Sequence, residues 1–361
     1  MRLWDARTGE NRRDMLRHPG AVRAVSWQKE DSALLTAGLD GTARIWRMRT
    51  NGSARLSWPH DSPVQTVAFS PNGERLAVLG LRNAAKIWRV ATEGAPVSLE
   101  HPTRALAAAW LDSRRVVTVA ADDQLRTWDA VGGQLLETVS LEGQVRDRWA
   151  ERFSSDAKYF VPLLPGRPSG VWKVADGKRA FDLGTNTSRA IAFSPNSRWL
   201  AVSSAAGLQI WDANTGKPVA EEIKGASDAT AITLNSEATR VAVATGDFSV
   251  HILQYPSGRF VARSLKHAGV VRDLAFTPDG HALATASQDK SLRLWDAATG
   301  EPLAPPLEHG GWVLRVDVRP DGFGFATAGN DHMARLWEVP RMESAPAELQ
   351  TLARRLNGPG R

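Results

Sequence analysis

The sequence predicts an all-β fold, a single closed β-propeller of eight four-stranded blades. Three observations carry this. Trp4, Trp46, Trp88, Trp128, Trp172, Trp211, Trp295 and Trp337 recur at intervals of 39 to 44 residues, with one double gap in which Leu253 takes the missing place. Each period holds four short strand-like runs parted by turn residues. No period contains the ten or more turn-free residues that a helical repeat of this length would need.

Residues 267 to 296 show the elements in order. His267-Ala268-Gly269 opens the period, and Val271 to Phe276 is a first strand. Thr277-Pro278-Asp279-Gly280 is a turn, with proline fixing φ and glycine permitting a positive one. Ala282 to Ser287 is a second strand, Gln288-Asp289-Lys290 a second turn, and Ser291 to Trp295 a third strand. Thr299-Gly300 turns the chain again, and the stretch before His309 holds a fourth strand.

Eight sets of three strands end at Trp46, Trp88, Trp128, Trp172, Trp211, Leu253, Trp295 and Trp337. Seven find an outer strand in the segment that follows. The eighth meets Pro340 and Pro346, so the spare stretch Asn11 to Arg17 is expected to close the last blade. The alternative is seven blades plus an irregular repeat. Residues 1–340 then form one propeller. Residues 341–361 are a tail with a short helix over Glu343 to Asn357, carrying Leu349, Leu352 and Leu356 on one face. Met1 to Asp5 read as the third strand of yet another blade, which points to a longer array.

With Trp4-Asp5, Trp128-Asp129, Trp211-Asp212 and Trp295-Asp296 in register, the chain resembles the WD-repeat family over nearly its whole length, to about Pro340. The resemblance implies a polar network inside each blade: a histidine before the first strand, a threonine on the second, an aspartate in the next turn and the tryptophan of the third. Four repeats match, at His18, Thr36, Asp40, Trp46; His101, Thr118, Asp122, Trp128; His267, Thr285, Asp289, Trp295; and His309, Thr327, Asp331, Trp337. A buried indole N–H needs an acceptor, and a connected network supplies it. The repeat ending at Trp88 keeps His60 but has Val78 and Arg82 in place of threonine and aspartate. The repeat ending at Trp172 has Pro162 and Gly166 there, the one ending at Trp211 has a shorter turn, and the next keeps only Asp247. The ring is therefore expected to be least rigid between about residues 140 and 260. In the family, bacterial arrays of this type often follow a kinase domain or a second propeller, so the chain is read as the targeting part of a larger signalling protein.

Composition narrows the function. The 361 residues contain no cysteine, which excludes disulfides, thiolate zinc sites and a cysteine nucleophile. No stretch reaches the ~18 apolar residues of a membrane helix, and Met1-Arg2-Leu3-Trp4-Asp5 is no signal core, so the expected location is cytoplasmic. The His, Thr and Asp sets recur at the fold period, as structural devices do, and are not read as catalytic. His251, His281 and His332 have no metal-ligand spacing. No cofactor is expected.

The resemblance places binding on the face where first strands begin. Aligning the blades on Trp27, Phe69, Trp110, Phe153, Phe193, Leu234, Phe276 and Val318 gives, four residues earlier, the column Arg23, Gln65, Leu106, Trp149, Arg189, Thr230, Arg272 and Leu314. Two residues earlier again stand Arg104 and Trp312 among others. Arginine and tryptophan dominate interface hot spots. The expected partner face is Arg23, Trp149, Arg189, Arg272 and Trp312, with Arg82 and Arg104 adding charge. It would take a protein segment with acidic and apolar residues, the chain being a monomer or part of a larger complex. The net charge of +6 keeps nucleic-acid binding as an alternative, and a propeller enzyme is a remote one.

Overall fold

The computed structural model describes residues 56–338 apart from 83, 92–93, 143–149, 164–167, 225–227 and 323, together with the backbone of six further strands at 2–4, 11–15, 22–28, 33–38, 43–47 and 342–344. All described regular structure is strand.

Seven antiparallel blades form the ring. Their inner strands are Val64–Phe69, Ala105–Trp110, Ala150–Phe153, the second half of the long strand Arg179–Phe193, Ala229–Leu234, Val271–Phe276 and Val313–Val318. These define blades 1 to 7. The first half of Arg179–Phe193 is the outer strand of blade 3, so one continuous strand joins two blades. Second strands such as Arg75–Gly80 and Gly324–Gly329 are buried along nearly their whole length. Blades press on both of their faces, so an uninterrupted apolar run is what burial demands.

Seven apolar clusters bridge consecutive blades, one per interface. Ala77, Leu79 and Leu99 of blade 1 meet Trp110 and Trp128 of blade 2. Ala284, Leu292 and Leu307 of blade 6 meet Val316, Phe325 and Trp337 of blade 7. The cycle closes where Ala326, Ala328 and Leu336 of blade 7 pack with Val64, Phe69, Leu76 and Val78 of blade 1. Because every blade has two partners, no apolar face is left open within the ring.

Two expectations are corrected here. The ring has seven blades, not eight. Its last blade takes its outer strand from Leu56–Pro59, which pairs Leu56 with Leu336 and Trp58 with Ala334, and not from the stretch at Asn11. Asn11–Met15 pairs instead with Arg2–Trp4. The segment after Trp46 was assigned to its own repeat, but it crosses to close the ring. The repeat ending at Trp46 accordingly lies outside the ring. Its strands Val22–Gln28, Ala33–Gly38 and Ala43–Arg47 form a sheet with Met342–Ser344, in register from Arg44–Ser344 to Trp46–Met342. A strand thus follows Pro340 after all, and the proposed helix does not include residues 343 and 344. The remainder of that helix lies outside the described residues.

The Trp-Asp aspartates have a local task. Asp296 accepts the amides of Ala298 and Thr299, both at 2.8 Å, and Asp212 those of Asn214 and Thr215. Each carboxylate thus folds the turn leading to the outer strand.

Candidate interaction face

Blades 2, 6 and 7 are stiffened by the groups that meet on their third strands. In blade 6, the Trp295 indole N–H donates to Thr285 Oγ1 at 2.9 Å, His267 Nε2 lies 2.7 Å from the same hydroxyl, and His267 Nδ1 lies 2.8 Å from Asp289. The carboxylate fixes the proton on Nδ1, so Nε2 accepts from the threonine. Burial opposes ionisation of Asp289, but hydrogen bonds from His267, Ser291 and the Ala268 amide outweigh it and hold the carboxyl well below its usual range.

Blades 2 and 7 keep the Trp–Thr–His part and change the end of it. In blade 2, His101 Nδ1 meets the Leu99 carbonyl at 2.8 Å, while Asp122 pairs with Arg126 at 2.6 Å. In blade 7, the Arg335 guanidinium donates to both His309 Nδ1 and Asp331, at 2.7 and 2.6 Å. The His–Asp contact expected in both blades is replaced. The arginine four residues after the aspartate binds the carboxylate at 2.6 Å in both blades, whereas Arg293, at the same spacing in blade 6, stays 3.8 Å from Asp289 and leaves it to His267. With Nδ1 accepting, His309 must donate from Nε2 to Thr327, the opposite tautomer to His267. Burial and the Arg335 charge push its pKa down to about 4, so the imidazole stays neutral. The side chains of His18, Thr36, Asp40 and Trp46 lie outside those described.

Blade 1 shows what the missing threonine does. Val78 pairs across its ladder with Lys86, the register that Thr118 keeps with Arg126. Its methyl groups cannot bond, and both Trp88 Nε1 and His60 Nε2 are buried without a hydrogen-bond partner among the described residues.

The networks fix the turns and loops of one face. Hydrogen bonds of 2.9 Å run from Ala121 N to the Arg104 carbonyl, from Gln288 N to Val270 and from Asn330 N to Trp312. The loops before the inner strands and the turns after the second strands thus form one surface. Six of the seven inner strands of the ring begin there with a bulge, and Ala150–Phe153 pairs without one. The ladder register shifts between Val64 and Thr66, Ala105 and Ala107, Ser188 and Ala190, Ala229 and Ala231, Val271 and Asp273, and Val313 and Arg315. The bulged residues are Gln65, Leu106, Arg189, Thr230, Arg272 and Leu314, the column aligned from sequence. A bulge twists its strand and re-aims the extra side chain.

Of the expected partner-binding residues, Arg82, Arg104, Arg189 and Arg272 are exposed on this face, and Trp312 is 46% exposed. None of Arg104, Arg189 and Arg272 makes an ion pair among the described residues. Arg23 does not join them, because its strand belongs to the sheet outside the ring. Trp149 lies outside the described residues. Leu81 and Phe248, 40% and 39% exposed, were missed in the sequence. Phe248 follows the turn aspartate Asp247 with φ of 67°, as Asp123, Lys290 and His332 follow theirs with φ of 60°, 69° and 65°. A left-handed residue after a turn aspartate, holding its side chain outward, was the available signal.

Among the described residues, no group of three or more His, Asp or Glu could hold a metal ion, and no helix is long and apolar enough to cross a membrane.

Four segments, residues 9–47, 183–212, 259–296 and 300–338, match the family model described as WD domain, G-beta repeat. The first is the sheet outside the ring, so that sheet is itself one of the repeats. Small ribosomal subunit protein RACK1z of Arabidopsis thaliana is 36% identical over 55 residues, which are 15% of this chain and 16% of that protein.

Proposed function

We propose that this chain, a propeller built on WD repeats, is a non-catalytic interaction platform. It would hold a partner's extended segment, with acidic and apolar residues, across the face bearing Arg104, Arg189, Arg272 and Trp312. The observation that supports it best is Trp312, whose backbone is fixed by Asn330 while its indole stands exposed in a surface that also presents Leu81 and Phe248. An ordered aromatic loses little entropy on binding, and arginines around it select carboxylates. In this reading the platform works in the cytoplasm as the targeting part of a larger assembly.

Affinity capture from the source cell with the wild type and with Arg189→Glu, Arg272→Glu, Trp312→Ala tests it. A protein held by the wild type at low and high salt, and lost by the variant at unchanged melting temperature, is expected. Nucleic acid alone, released by salt, would replace this reading with the basic-surface one. Equal capture by both baits would mean that another surface binds.

A further inference from the structure

The ring encloses a cavity of about 500 Å³ at its channel. The wall is formed by the second halves of the inner strands and by Pro71, Pro195, Pro278 and Pro320 of the turns that follow them. It therefore lies toward the end opposite Trp312, apart from the interaction face. Much of the wall is small, with Ala68, Ala107, Ala109, Ala192 and Ala275 among its residues. Four charged side chains face it: Arg152, Asp273, Arg315 and Asp317.

Three of these are occupied. Arg152 of blade 3 reaches Asp273 of blade 6, on the far side of the ring, at 2.6 Å. Asp273 also accepts the Val316 amide at 3.1 Å. Arg315 donates to the Leu314 carbonyl. Asp317 differs. It accepts the amides of Phe69 at 2.6 Å and Val318 at 3.0 Å, and no cation among the described residues pairs with it. Part of its surface is still accessible, toward the cavity. Burial, with a smaller contribution from the Asp273 charge, pushes its pKa up to about 7, against the pull of the two amides.

We propose that the channel is a binding site for a compact organic cation, an alkylammonium or a guanidinium, held by Asp317. The volume suits a small molecule. Arg152 pairs with Asp273 and Arg315 bonds a backbone carbonyl, so Asp317 is the carboxylate of the wall that makes no ion pair among the described residues. The alanines leave room for an alkyl group beside it. A bound cation favours the ionised carboxylate and expels its proton, so affinity rises with pH up to the pKa of Asp317 and then levels.

Titration calorimetry of the full chain with n-butylammonium and methylguanidinium, at pH 6 and pH 8, tests this, with n-butanol as the neutral isostere. Either cation should bind roughly tenfold more tightly at pH 8, as one linked proton requires, and n-butanol should not. Asp317→Asn keeps an oxygen for the Phe69 amide and should abolish binding with the near-ultraviolet dichroism unchanged. If that variant does not fold, Ala275→Leu, which fills the cavity and leaves the carboxylate in place, should abolish binding instead. No binding of either cation, equal binding of n-butanol, or undiminished binding in the folded variant would each overturn the proposal.

Discussion

Val78 shows how much one hydroxyl settles. In blades 2, 6 and 7 a threonine at this register receives the indole N–H and meets the imidazole, and in blade 1 Trp88 Nε1 and His60 Nε2 are left buried without a hydrogen-bond partner among the described residues. An unsatisfied buried donor costs about 1–3 kcal/mol. Val78→Thr should therefore stabilise the protein by ~1 kcal/mol, and Thr285→Val should destabilise it by ~2–3 kcal/mol, since it orphans two groups at once. Urea denaturation of both variants checks this, and a loss of stability in Val78→Thr would show that the site lacks room for the bond. Val78 was legible in the sequence as a departure from the pattern. The replacement of the Asp122 and Asp331 contacts was not, because Arg126 and Arg335 win those carboxylates by distance alone, and a spacing rule carries no distances.

At the level of strands and turns, the blades are not equally well made. The turn after the inner strand contains a left-handed residue in six of the seven blades, the shorter turn of blade 2 being the exception. Blades 1, 6 and 7 supply Gly73, Gly280 and Gly322, whereas blades 3, 4 and 5 force Ala157, Ser197 and Ala238 into it, at φ of 54°, 61° and 54°. That conformation costs an L-residue roughly 1–2 kcal/mol. The same three blades lack the full Trp–Thr–His network. In blade 3, the Trp172 indole donates instead to the Glu142 carbonyl at 2.9 Å. Native-state amide exchange should therefore show weaker protection in blades 3 to 5 than in blades 6 and 7. Uniform protection would mean that inter-blade packing dominates and the turns contribute little. The bulged column of Gln65, Leu106, Arg189, Thr230, Arg272 and Leu314 was legible as an alignment, since strands of equal length begin alike. That these residues are bulges was not, because a bulge is a property of the pairing between two strands.

The ring is closed by one seam. Leu56–Pro59 joins the last blade to the chain segment that begins the first, and buried Trp58 lies there with its ring centroid 6.2 Å from that of Trp88. Trp58→Ala should cost ~3–5 kcal/mol, as loss of a buried indole does, and should broaden the unfolding transition by letting the ring open. Removing residues 341–361 should leave the cooperative transition of the ring unchanged, because among the described strands Met342–Ser344 pairs with Ala43–Arg47 of the sheet outside it. If that truncation unfolds the ring, the extra sheet is part of its closure. Sequence by itself determined the architecture: a fixed period, alternating apolar strands and turn chemistry are local, and each repeat states them again. It also determined that an end-to-end strand must close the ring, since an open blade edge is unstable. Which segment does so, and hence seven blades and not eight, was decided only by the tertiary structure. The stretch Asn11 to Arg17 was expected to close the ring, whereas Leu56–Pro59 does so, with Leu56 and Trp58 packed between blades 7 and 1. The same holds for the channel, where Arg152, Asp273 and Asp317 stand far apart in the chain and meet only because the ring is closed.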